Sequence, residues 1–551
     1  MGFYMRENGG DFVRKIRIKI KYQNRIYSVE SLKGKLLKDV LEAEGIAYSF
    51  PCGGAGRCGK CKVRFTEGAP KASTSDITFF SAKELEQGYR LLCRCVIDGD
   101  CAVEIGDTSE ERIVAESVSL EASGAGFARA AKEIASGAAR AAHAEGRASS
   151  ACDRFGIAVD IGTTTIAAAL VGIAASGGGK ALATSAGSKV IATASGVNHQ
   201  RQYGADVISR IAYASEGDGL QKLHDIVISD VENLVNNLRN ISGAEVSGLV
   251  VTGNTTMLHI FRNISVESLG RFPYKTERLE PETCNMYGIE TVIMPGFTAY
   301  VGADILSGIY YTDLMSDKKS LLLDLGTNGE MAYYNGRDLR ICSTAAGPVF
   351  EGGTISCGIA SIPGAISHIR IAQDGGVSYE TIGGEEPKGL CGTGVMEAVS
   401  ELVRCGIVSK EGLLSEEFFD KGFPVTEDGN IRITQEDVRN IQLAKAAIRS
   451  GIEQLIGKDI PDRVFISGGF GTNIDYDAIR ALRIFPAGID GNCVGAGNTA
   501  LKGAVKYLTA KLLGADKTEN ALLNKIKMSA TELILANKDD FDDTFVEALN
   551  F

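Results

Sequence analysis

The same strand–turn–strand pattern occurs twice in this chain, and it restricts the fold more strongly than any other feature. The segments IAVDIGTTTIAAALV (157–171) and LLLDLGTNGEMAYY (321–334) each place an Asp-[Ile/Leu]-Gly-Thr turn between two apolar strands. Around them, apolar strands alternate with longer amphipathic segments as far as the C-terminus, which is typical of α/β architecture. The repeat therefore predicts an α/β region over residues 154–551, built from two related lobes.

Each turn places a carboxylate beside free backbone N–H groups and hydroxyls. The residues concerned are, in the first copy, Asp160, Gly162, Thr163, Thr164 and Thr165 and, in the second copy, Asp324, Gly326, Thr327 and Asn328. A carboxylate can hold hydrated Mg²⁺, while turn amides and hydroxyls donate to phosphate oxygens. One such turn often has only a geometric role. Two copies favour a nucleotide phosphate site between the lobes, with Asp160 and Asp324 as its catalytic carboxylates.

A third element, VFISGGFGTN (464–473), supports the nucleotide prediction. Its paired glycines, Gly468 and Gly469, follow a strand, where an adenosine can lie against the backbone. Together the three elements resemble the phosphate-1, phosphate-2 and adenosine motifs of the sugar kinase, heat-shock ATPase and actin superfamily. The resemblance implies an actin-like (ASKHA-type, ribonuclease H-like) ATPase domain that binds ATP and Mg²⁺. GGGKA (177–181) does not compete as a Walker A motif, because it lacks Ser or Thr after Lys.

Three further segments rich in glycine and threonine fit either the same site or close packing of helices and strands. They are VVTGNTTMLHI (250–260), CGTGV (391–395) and GNCVGAGNTALKGA (491–504). The sequence favours neither explanation for any of the three.

Six of the 13 cysteines lie between residues 52 and 101. Cys52, Cys58 and Cys61 have C-x5-C-x2-C spacing, and Cys93 follows in GYRLLCRCVI. Four such thiolates can hold a [2Fe-2S] cluster, whose sulfurs need backbone N–H donors that a glycine-rich loop leaves accessible. Structural zinc is the alternative, but zinc sites usually pair two short C-x2-C units and this segment has one. Cys93 and Cys95 are predicted on one face of a strand, so periodicity does not choose between them.

The cysteine loop resembles that of plant- and vertebrate-type [2Fe-2S] ferredoxins over residues 13–107. The resemblance implies an α+β, β-grasp domain, and the similarity of RLLC to the fourth-ligand segment of that family implies Cys93 rather than Cys95 as a ligand. The implied metal ligands are thus Cys52, Cys58, Cys61 and Cys93. Alternation and propensity predict strands at 15–21, 25–31, 61–65 and 101–105 and helices at 35–44 and 82–88.

Composition indicates how the domains are connected, which binding partners are unfavourable and which cellular compartment is expected. Thirteen alanines between 122 and 151, interleaved with Gly and Ser, predict an Ala-rich flexible linker over 108–153. The 58 Lys+Arg and 69 Asp+Glu residues give a net charge of −11, which argues against a general nucleic-acid binder. Neither an export signal nor a membrane span is predicted, so we expect a cytoplasmic protein whose thiols are metal ligands or buried side chains.

The combination resembles the reductive activators of corrinoid-dependent enzymes, which join a [2Fe-2S] domain to an actin-like ATPase domain. The shared segments include YGADVISRI (203–211), DLGTNGE (324–330), STAAGPVFEG (343–352) and the terminal FDDTFVEALNF. The resemblance implies ATP-dependent transfer of one electron from the [2Fe-2S] cluster to Co(II), regenerating Co(I) for methyl transfer. It also implies a corrinoid protein of a methyltransferase system and a low-potential electron donor as partners, and a homodimer as the assembly.

The resemblance has two finer implications. Ser343 and Thr344 are candidates for a surface that faces the corrinoid, with helix or turn capping as the alternative role. Relatives often carry a further small domain between the ferredoxin and ATPase parts, whereas here only the Ala-rich stretch is expected in that place.

Two other functions fit parts of this pattern. An ATP-dependent activator of a radical dehydratase or reductase would share the ATPase domain but use a [4Fe-4S] cluster between subunits. A small-molecule kinase with an appended ferredoxin domain would transfer phosphate to a sugar or an acid. A pure binding module is disfavoured, because paired aspartates of the Mg²⁺-binding type imply nucleotide turnover.

Overall fold

A computed structural model describes most of the chain. The described residues are 4–6, 12–22, 25–44, 46, 48, 50, 52, 54–56, 59–105, 118–122, 152, 154–173, 188–276, 278–316, 318–372, 375–468, 475–538 and 540–551. They fall into two compact units, the first formed by Met1–Glu116 with His199–Ile226 and the second by Ser117–Asn198 with Val227–Phe551. Of the predicted linker, only Val118–Ala122 and Cys152 lie among the described residues, and Val118–Ala122 forms a strand.

The first unit contains a six-stranded sheet. Its strands are β1 (Tyr4–Arg6), β2 (Phe12–Tyr22), β3 (Arg25–Leu32), β4 (Lys62–Glu67), β5 (Tyr89–Leu91) and β6 (Cys101–Ile105), in the order β1-β2-β6-β4-β5 with β3 beside β2. Ile16, Ile18 and Ile20 of β2 are buried while the basic residues between them are exposed, as the period of a half-buried strand requires. Three helices accompany the sheet: α1 (Leu37–Ala43), α2 (Thr74–Phe79) and α3 (Ala82–Glu86). The predicted α+β pattern is confirmed.

A segment distant in sequence completes the first unit. It contains a short 3-10 helix (His199–Gln202), α4 (Val207–Ala214) and the start of α5 (Gly219–Ser242). The backbone N–H of Phe50, in the cysteine-rich loop, donates to the carbonyl of Gln202 at 3.0 Å. The cysteine loop therefore packs within the same unit as residues 199–226.

The second unit begins with a seven-stranded sheet around the first Asp-Gly-Thr turn. Its strands are β7 (Val118–Ala122), β8 (Arg154–Ile161), β9 (Thr165–Ile173), β10 (Ser188–Val197), β11 (Val246–Gly253), β12 (Glu282–Met286) and β13 (Ile289–Ile293), in the order β12-β13-β11-β8-β9-β10-β7. β8 and β9 form an antiparallel hairpin, and β11 lies parallel to β8. Both hairpin strands are buried almost throughout, which explains their continuous apolar sequence.

A six-stranded sheet repeats this arrangement around the second turn. Its strands are β14 (Ser320–Leu325), β15 (Gly329–Tyr334), β16 (Leu339–Thr344), β22 (Arg463–Ser467), β23 (Cys493–Gly497) and β24 (Ala530–Glu532), in the order β23-β22-β14-β15-β16-β24. β14 and β15 form the hairpin and β22 is parallel to β14, as β11 is to β8. Two smaller sheets contain β17 (Ala365–Ile371), β18 (Val377–Thr381), β19 (Gly389–Leu390), β20 (Phe423–Pro424) and β21 (Arg432–Ile433).

Helices pack on the sheets of the second unit. They are α6 (Thr255–Phe261), α7 (Ala303–Thr312), α8 (Gly392–Arg404), α9 (Gln435–Ile456), α10 (Tyr476–Ala481), α11 (Thr499–Leu512), α12 (Asp516–Ser529) and α13 (Phe541–Ala548). Two hairpins of the same design, each with a parallel neighbour, confirm the prediction of two related α/β lobes. Within the described part of the chain, no helix has both the length and the apolar character needed to cross a membrane.

Candidate functional site

The cysteine loop brings two of the predicted cluster ligands into contact. The Sγ atoms of Cys61 and Cys93 are 3.2 Å apart, and both side chains are buried. The backbone N–H of Leu92 donates to the carbonyl of Cys61 at 2.8 Å, so the residue before β4 is fixed against the turn that carries Cys93. Cys52 is half-buried in the same loop, whereas Cys58 lies outside the described residues. Three of the four predicted ligands can thus be placed, and two of them touch.

A buried carboxylate holds this turn in place. Asp76 is 1% exposed and accepts the backbone N–H of Leu91 at 2.6 Å. It also completes a capping box with Ser73 at the start of α2. Asp76 is not among the residues predicted from the sequence, although the sequence contains the Ser-x-x-Asp spacing of a capping box. Asp76 links α2 to the backbone two residues before Cys93 and so helps to position that thiol.

The environments of Cys93 and Cys95 differ. A hydrogen bond from Cys61 lowers the pKa of the Cys93 thiol, against the opposing effects of burial and of the charge of Cys52. Burial raises the pKa of Cys95 far above the ordinary value and that of Cys101 to about 11. Thiolates are the metal-binding form, so Cys93 is better suited than Cys95. The prediction that both lie on one strand is wrong, because Cys93 lies in a 3-10 helix, Leu92–Arg94, and Cys95 follows it.

Glycine is required at two positions of the cysteine loop. Gly56 and Gly59 have φ angles of 71° and 68°, in the left-handed region that other residues rarely adopt. A Cβ atom added to Gly59 would lie 2.7 Å from the ring of Phe79, and one added to Gly56 would lie 2.8 Å from Nε of Arg94. The loop therefore packs closely only because these two side chains are absent.

The two Asp-Gly-Thr turns of the second unit meet. The hydroxyl oxygens of Thr164 and Thr327 are 3.4 Å apart. A backbone hydrogen bond closes each turn: the N–H of Gly162 donates to the carbonyl of Thr165, three residues on, at 3.1 Å, and the N–H of Gly326 donates to that of Asn328, two residues on, at 3.2 Å. The two predicted phosphate turns therefore lie against each other, and their role in one nucleotide site stays a prediction.

Hydrogen bonds fix the two predicted catalytic aspartates. The side-chain amide of Asn498 donates to Asp160 at 2.7 Å, and the hydroxyl of Ser467 donates to Asp324 at 2.9 Å. Gly468 lies directly behind Asp324, because an added Cβ would come within 2.9 Å of the Asp324 carboxylate. Gly469 lies outside the described residues. The first glycine of the predicted adenosine element thus adjoins the second phosphate turn.

Two further carboxylates, Asp304 and Glu330, accompany these aspartates. Burial raises the pKa of Asp160 to about 7, that of Asp324 to about 6 and that of Asp304 to about 7, where the charge of Asp324 adds to the effect. Burial and the charges of Asp304 and Asp324 raise the pKa of Glu330 well above its ordinary value. Oε1 of Glu330 is buried without a hydrogen-bond partner among the described residues. Burial thus disfavours the ionised form of each of these acids.

Neither Asp304 nor Glu330 is among the site residues predicted from the sequence. Glu330 lies in the quoted segment DLGTNGE, two residues beyond the turn, and β15 turns its side chain inward. Asp304 lies in the first turn of α7, where no local pattern marks it. Among the described residues, no three His, Cys, Asp or Glu side chains are already arranged as ligands of one metal ion.

The raised pKa values predict how stability depends on pH. An acid whose pKa is higher in the folded than in the unfolded state destabilises the fold progressively as pH rises between the two values. We expect Asp304→Asn to increase the free energy of unfolding of the nucleotide-free protein, and to do so more at pH 8 than at pH 5.5. Urea unfolding at both pH values measures this. An equal effect at the two pH values would contradict the burial of an ionised Asp304.

Two of the three additional Gly/Thr segments reach the site. In 250–260, the amide of Asn254 donates to the hydroxyl of Thr163 at 3.1 Å, and 491–504 supplies Asn498. The third segment, 391–395, has a packing role, because a Cβ added to Gly392 would lie 1.9 Å from the carbonyl of Phe350.

Thr344 does not face a surface. It is 6% exposed, and its hydroxyl donates to the carbonyl of Gly329 in the neighbouring strand at 3.2 Å. The prediction that it contacts a corrinoid is therefore wrong. Ser343 is half-buried, and its assignment stays a prediction.

Comparison with known proteins identifies the family. Models of the 2Fe-2S iron-sulfur cluster binding domain, the RACo middle region and the C-terminal domain of RACo, the ASKHA domain, match residues 21–98, 155–317 and 318–551. The chain is 30% identical over 436 residues to the corrinoid activation enzyme RamQ of Eubacterium limosum, covering 71% of this chain and 69% of RamQ. The chain belongs to the corrinoid activation enzymes.

Two more comparisons extend over most of this corrinoid activation enzyme. The [Co(II) methylated amine-specific corrinoid protein] reductase of Methanosarcina barkeri is 26% identical over 399 residues, covering 63% of this chain and 70% of the reductase. The solved structure of a reductive activator for corrinoid, iron-sulfur protein is 28% identical, with a TM-score of 0.62 and coverage of 97% of this chain and 98% of the other. The predicted fold class, a ferredoxin domain followed by an ASKHA domain, is confirmed.

One of these matches covers a segment that the sequence analysis assigns to the ATPase domain. The sequence predicts only the Ala-rich stretch between the ferredoxin and ATPase parts, and that division into domains stays a prediction. A model of the RACo middle region matches 155–317, so this corrinoid activation enzyme contains the middle region of its family.

Proposed function

We propose that this protein reduces the Co(II) of a corrinoid protein to Co(I) by one electron, in a reaction that depends on ATP. One observation carries the proposal: a cysteine loop with touching Cys61 and Cys93 thiols shares a chain with two Asp-Gly-Thr turns that meet at Thr164 and Thr327. The first is suited to electron transfer and the second to nucleotide binding. RamQ is named for corrinoid activation and the Methanosarcina enzyme for reduction of a Co(II) corrinoid protein, which supports that substrate here.

The proposed cluster ligands are Cys52, Cys58, Cys61 and Cys93. The lowered pKa of Cys93 and the close approach of Cys61 fit a site for thiolate ligands. When bound, a [2Fe-2S] cluster of this type carries one electron at about −400 mV. The chain contributes a fixed loop, in which Asp76 and the Leu92 N–H set the position of the Cys93 turn.

The proposed nucleotide site uses both turns. It is formed by Gly162, Thr163, Thr164, Thr165, Gly326, Thr327 and Asn328, of which Gly162 and Gly326 hold the shape of the turns through their own N–H groups, and Gly468 and Gly469 would face the adenosine. Mg²⁺ usually keeps several waters and is held by one or two carboxylates together with phosphates. Asp160 and Asp324 fit that role, since each is held by one neutral donor, Asn498 or Ser467, and keeps other lone pairs available.

ATP is needed because the electron transfer to Co(II) is uphill. For one electron, about 59 mV corresponds to a tenfold change in equilibrium constant, so a deficit of about 100 mV costs about 2.3 kcal/mol. A nucleotide that binds one conformation more tightly than another can supply this through differential affinity. Closure of the two lobes on ATP is such a change, and the nucleotide need not contact the electron carrier.

The partners follow from this reaction. The substrate is the corrinoid protein of a methyltransferase system, in the form in which its cobalt has been oxidised from Co(I) to Co(II). An external low-potential electron donor must reduce the [2Fe-2S] cluster again after each electron has been transferred. Assembly as a homodimer stays a prediction from the resemblance.

The proposal is tested by following cobalt directly. The purified full-length protein is mixed anaerobically with candidate corrinoid proteins in the Co(II) state, Ti(III) citrate and Mg-ATP, and the absorbance of Co(I) is recorded. We expect Co(I) to form with ATP and not with ADP. Failure of every corrinoid protein to gain Co(I), from a preparation that contains iron and hydrolyses ATP, would contradict the proposed substrate.

A further inference from the structure

A carboxylate bridges the two phosphate turns. Oε2 of Glu351 accepts hydrogen bonds from the hydroxyl of Thr164 at 2.7 Å and from that of Thr327 at 3.2 Å. Its Oε1 lies close to Gly326, since a Cβ added to that glycine would be 3.5 Å away. One anionic group thus contacts both turns at the place where they meet.

Each of these hydroxyls can serve only one acceptor. A threonine hydroxyl has a single hydrogen to donate, so a hydrogen given to Glu351 is not available to a phosphate oxygen. The Thr164 and Thr327 hydroxyls are also the donors that the proposed nucleotide site assigns to phosphate. Binding of Glu351 and binding of phosphate at these two hydroxyls are therefore mutually exclusive.

The neighbours of Glu351 in sequence fix the backbone that carries it. Glu351 ends a short 3-10 helix, Pro348–Glu351, in which Val349 and Phe350 are buried. The next residue, Gly352, has φ 81°, and an added Cβ would lie 2.7 Å from the carbonyl of Ile359. Glu351 itself is half-buried and can change its side-chain rotamer without moving the helix.

We propose that the Glu351 carboxylate acts as a built-in substitute for nucleotide phosphate, which holds Thr164 and Thr327 in the nucleotide-free protein and is displaced when ATP binds. The inference rests on the proposed nucleotide site. It adds that a side chain of the protein itself competes with the nucleotide phosphate for the Thr164 and Thr327 hydroxyls. ATP must therefore replace a charge-assisted pair of hydrogen bonds before it can bind to both turns. The apparent association constant for ATP is the intrinsic constant multiplied by the fraction of molecules in which Glu351 does not occupy the two hydroxyls.

The test compares Glu351→Gln with the wild-type full-length protein in equilibrium binding of Mg-ATP. The amide is a weaker, uncharged acceptor for the two hydroxyls, so we expect the dissociation constant for Mg-ATP to fall by about tenfold. The matched control, Glu417→Gln, changes an exposed carboxylate in the same way and should leave the constant unchanged. Unchanged or weaker binding in Glu351→Gln overturns the inference.

A double-mutant cycle separates competition from simple repulsion between Glu351 and phosphate. Thr164→Val removes one of the two contested hydrogens, so in that background Glu351→Gln should improve ATP affinity by only about threefold. The full tenfold gain in both backgrounds would mean repulsion alone and would overturn the inference. If the wild-type protein does not bind Mg-ATP at all, the proposed nucleotide site fails. If it binds and only the cycle fails, the error lies with Glu351.

Discussion

Cys93→Ala is expected to abolish the visible absorbance and the EPR signal of a [2Fe-2S] centre and, with them, all Co(I) formation. The Cys93 thiol lies 3.2 Å from that of Cys61 and has a lowered pKa, so its loss removes one of four thiolates and leaves one iron with an incomplete ligand set. ATP binding should persist, since the two phosphate turns belong to the second unit. Anaerobic purification, iron and sulfide analysis, and the Co(II) reduction assay measure all three properties.

Cys95→Ala is the matched control, because it removes the neighbouring thiol two residues away. Cys95 is buried, and its pKa is raised by that burial, so it should contribute packing rather than a ligand. We expect iron content and Co(I) formation close to wild type, with some loss of stability from the small cavity. A colourless Cys95→Ala beside an intact Cys93→Ala would reverse the ligand assignment.

Asp160→Asn is expected to lower kcat for ATP hydrolysis by about 10²–10³-fold, the usual cost of losing one element of electrostatic stabilisation. Asparagine keeps an oxygen that can accept the hydrogen bond from Asn498, so the first turn should hold its shape while the negative charge is lost. Asp324→Asn should act similarly, because Ser467 supports that carboxylate in the same way. Steady-state phosphate release measures the effect.

The control for the aspartates is Asp420→Asn, which makes the same chemical change at an exposed position. It should hydrolyse ATP at the wild-type rate. The cluster absorbance should be unchanged in all three variants. ATP hydrolysis by Asp160→Asn at the wild-type rate would show that Asp160 is not a catalytic residue. The candidates for the catalytic carboxylate would then be Asp304 and Glu330, which lie among the same acids.

The parts of the site that could be predicted are those written into short, continuous segments. Asp160 and Asp324 stand at fixed positions in turns between apolar strands, and the spacing of Cys52, Cys58 and Cys61 is visible without a structure. Such signals can be recognised in the sequence because the backbone geometry of a turn alone fixes the side chains within it.

The parts that could not be predicted depend on contacts between distant segments. Glu351 lies 187 residues from Thr164 in sequence, and only the packing of the two lobes brings them together. Asn498 lies 338 residues from Asp160. Its position as the N-cap of α11 does not indicate that its side chain also donates to Asp160. Thr344 was misplaced for the opposite reason, since its motif suggested a surface while its position in β16 turned it inward.

The composition of the first unit has a practical consequence for dissecting this enzyme. Because His199–Ile226 packs with the N-terminal residues, a truncation at the Ala-rich stretch would not separate two self-contained pieces. The shortened ATPase would retain the 199–226 segment without the Phe50 N–H that meets the Gln202 carbonyl, and the isolated ferredoxin fragment would lack that segment altogether. Point substitutions in the intact polypeptide are therefore the safer way to assign electron transfer and nucleotide turnover to their separate residues.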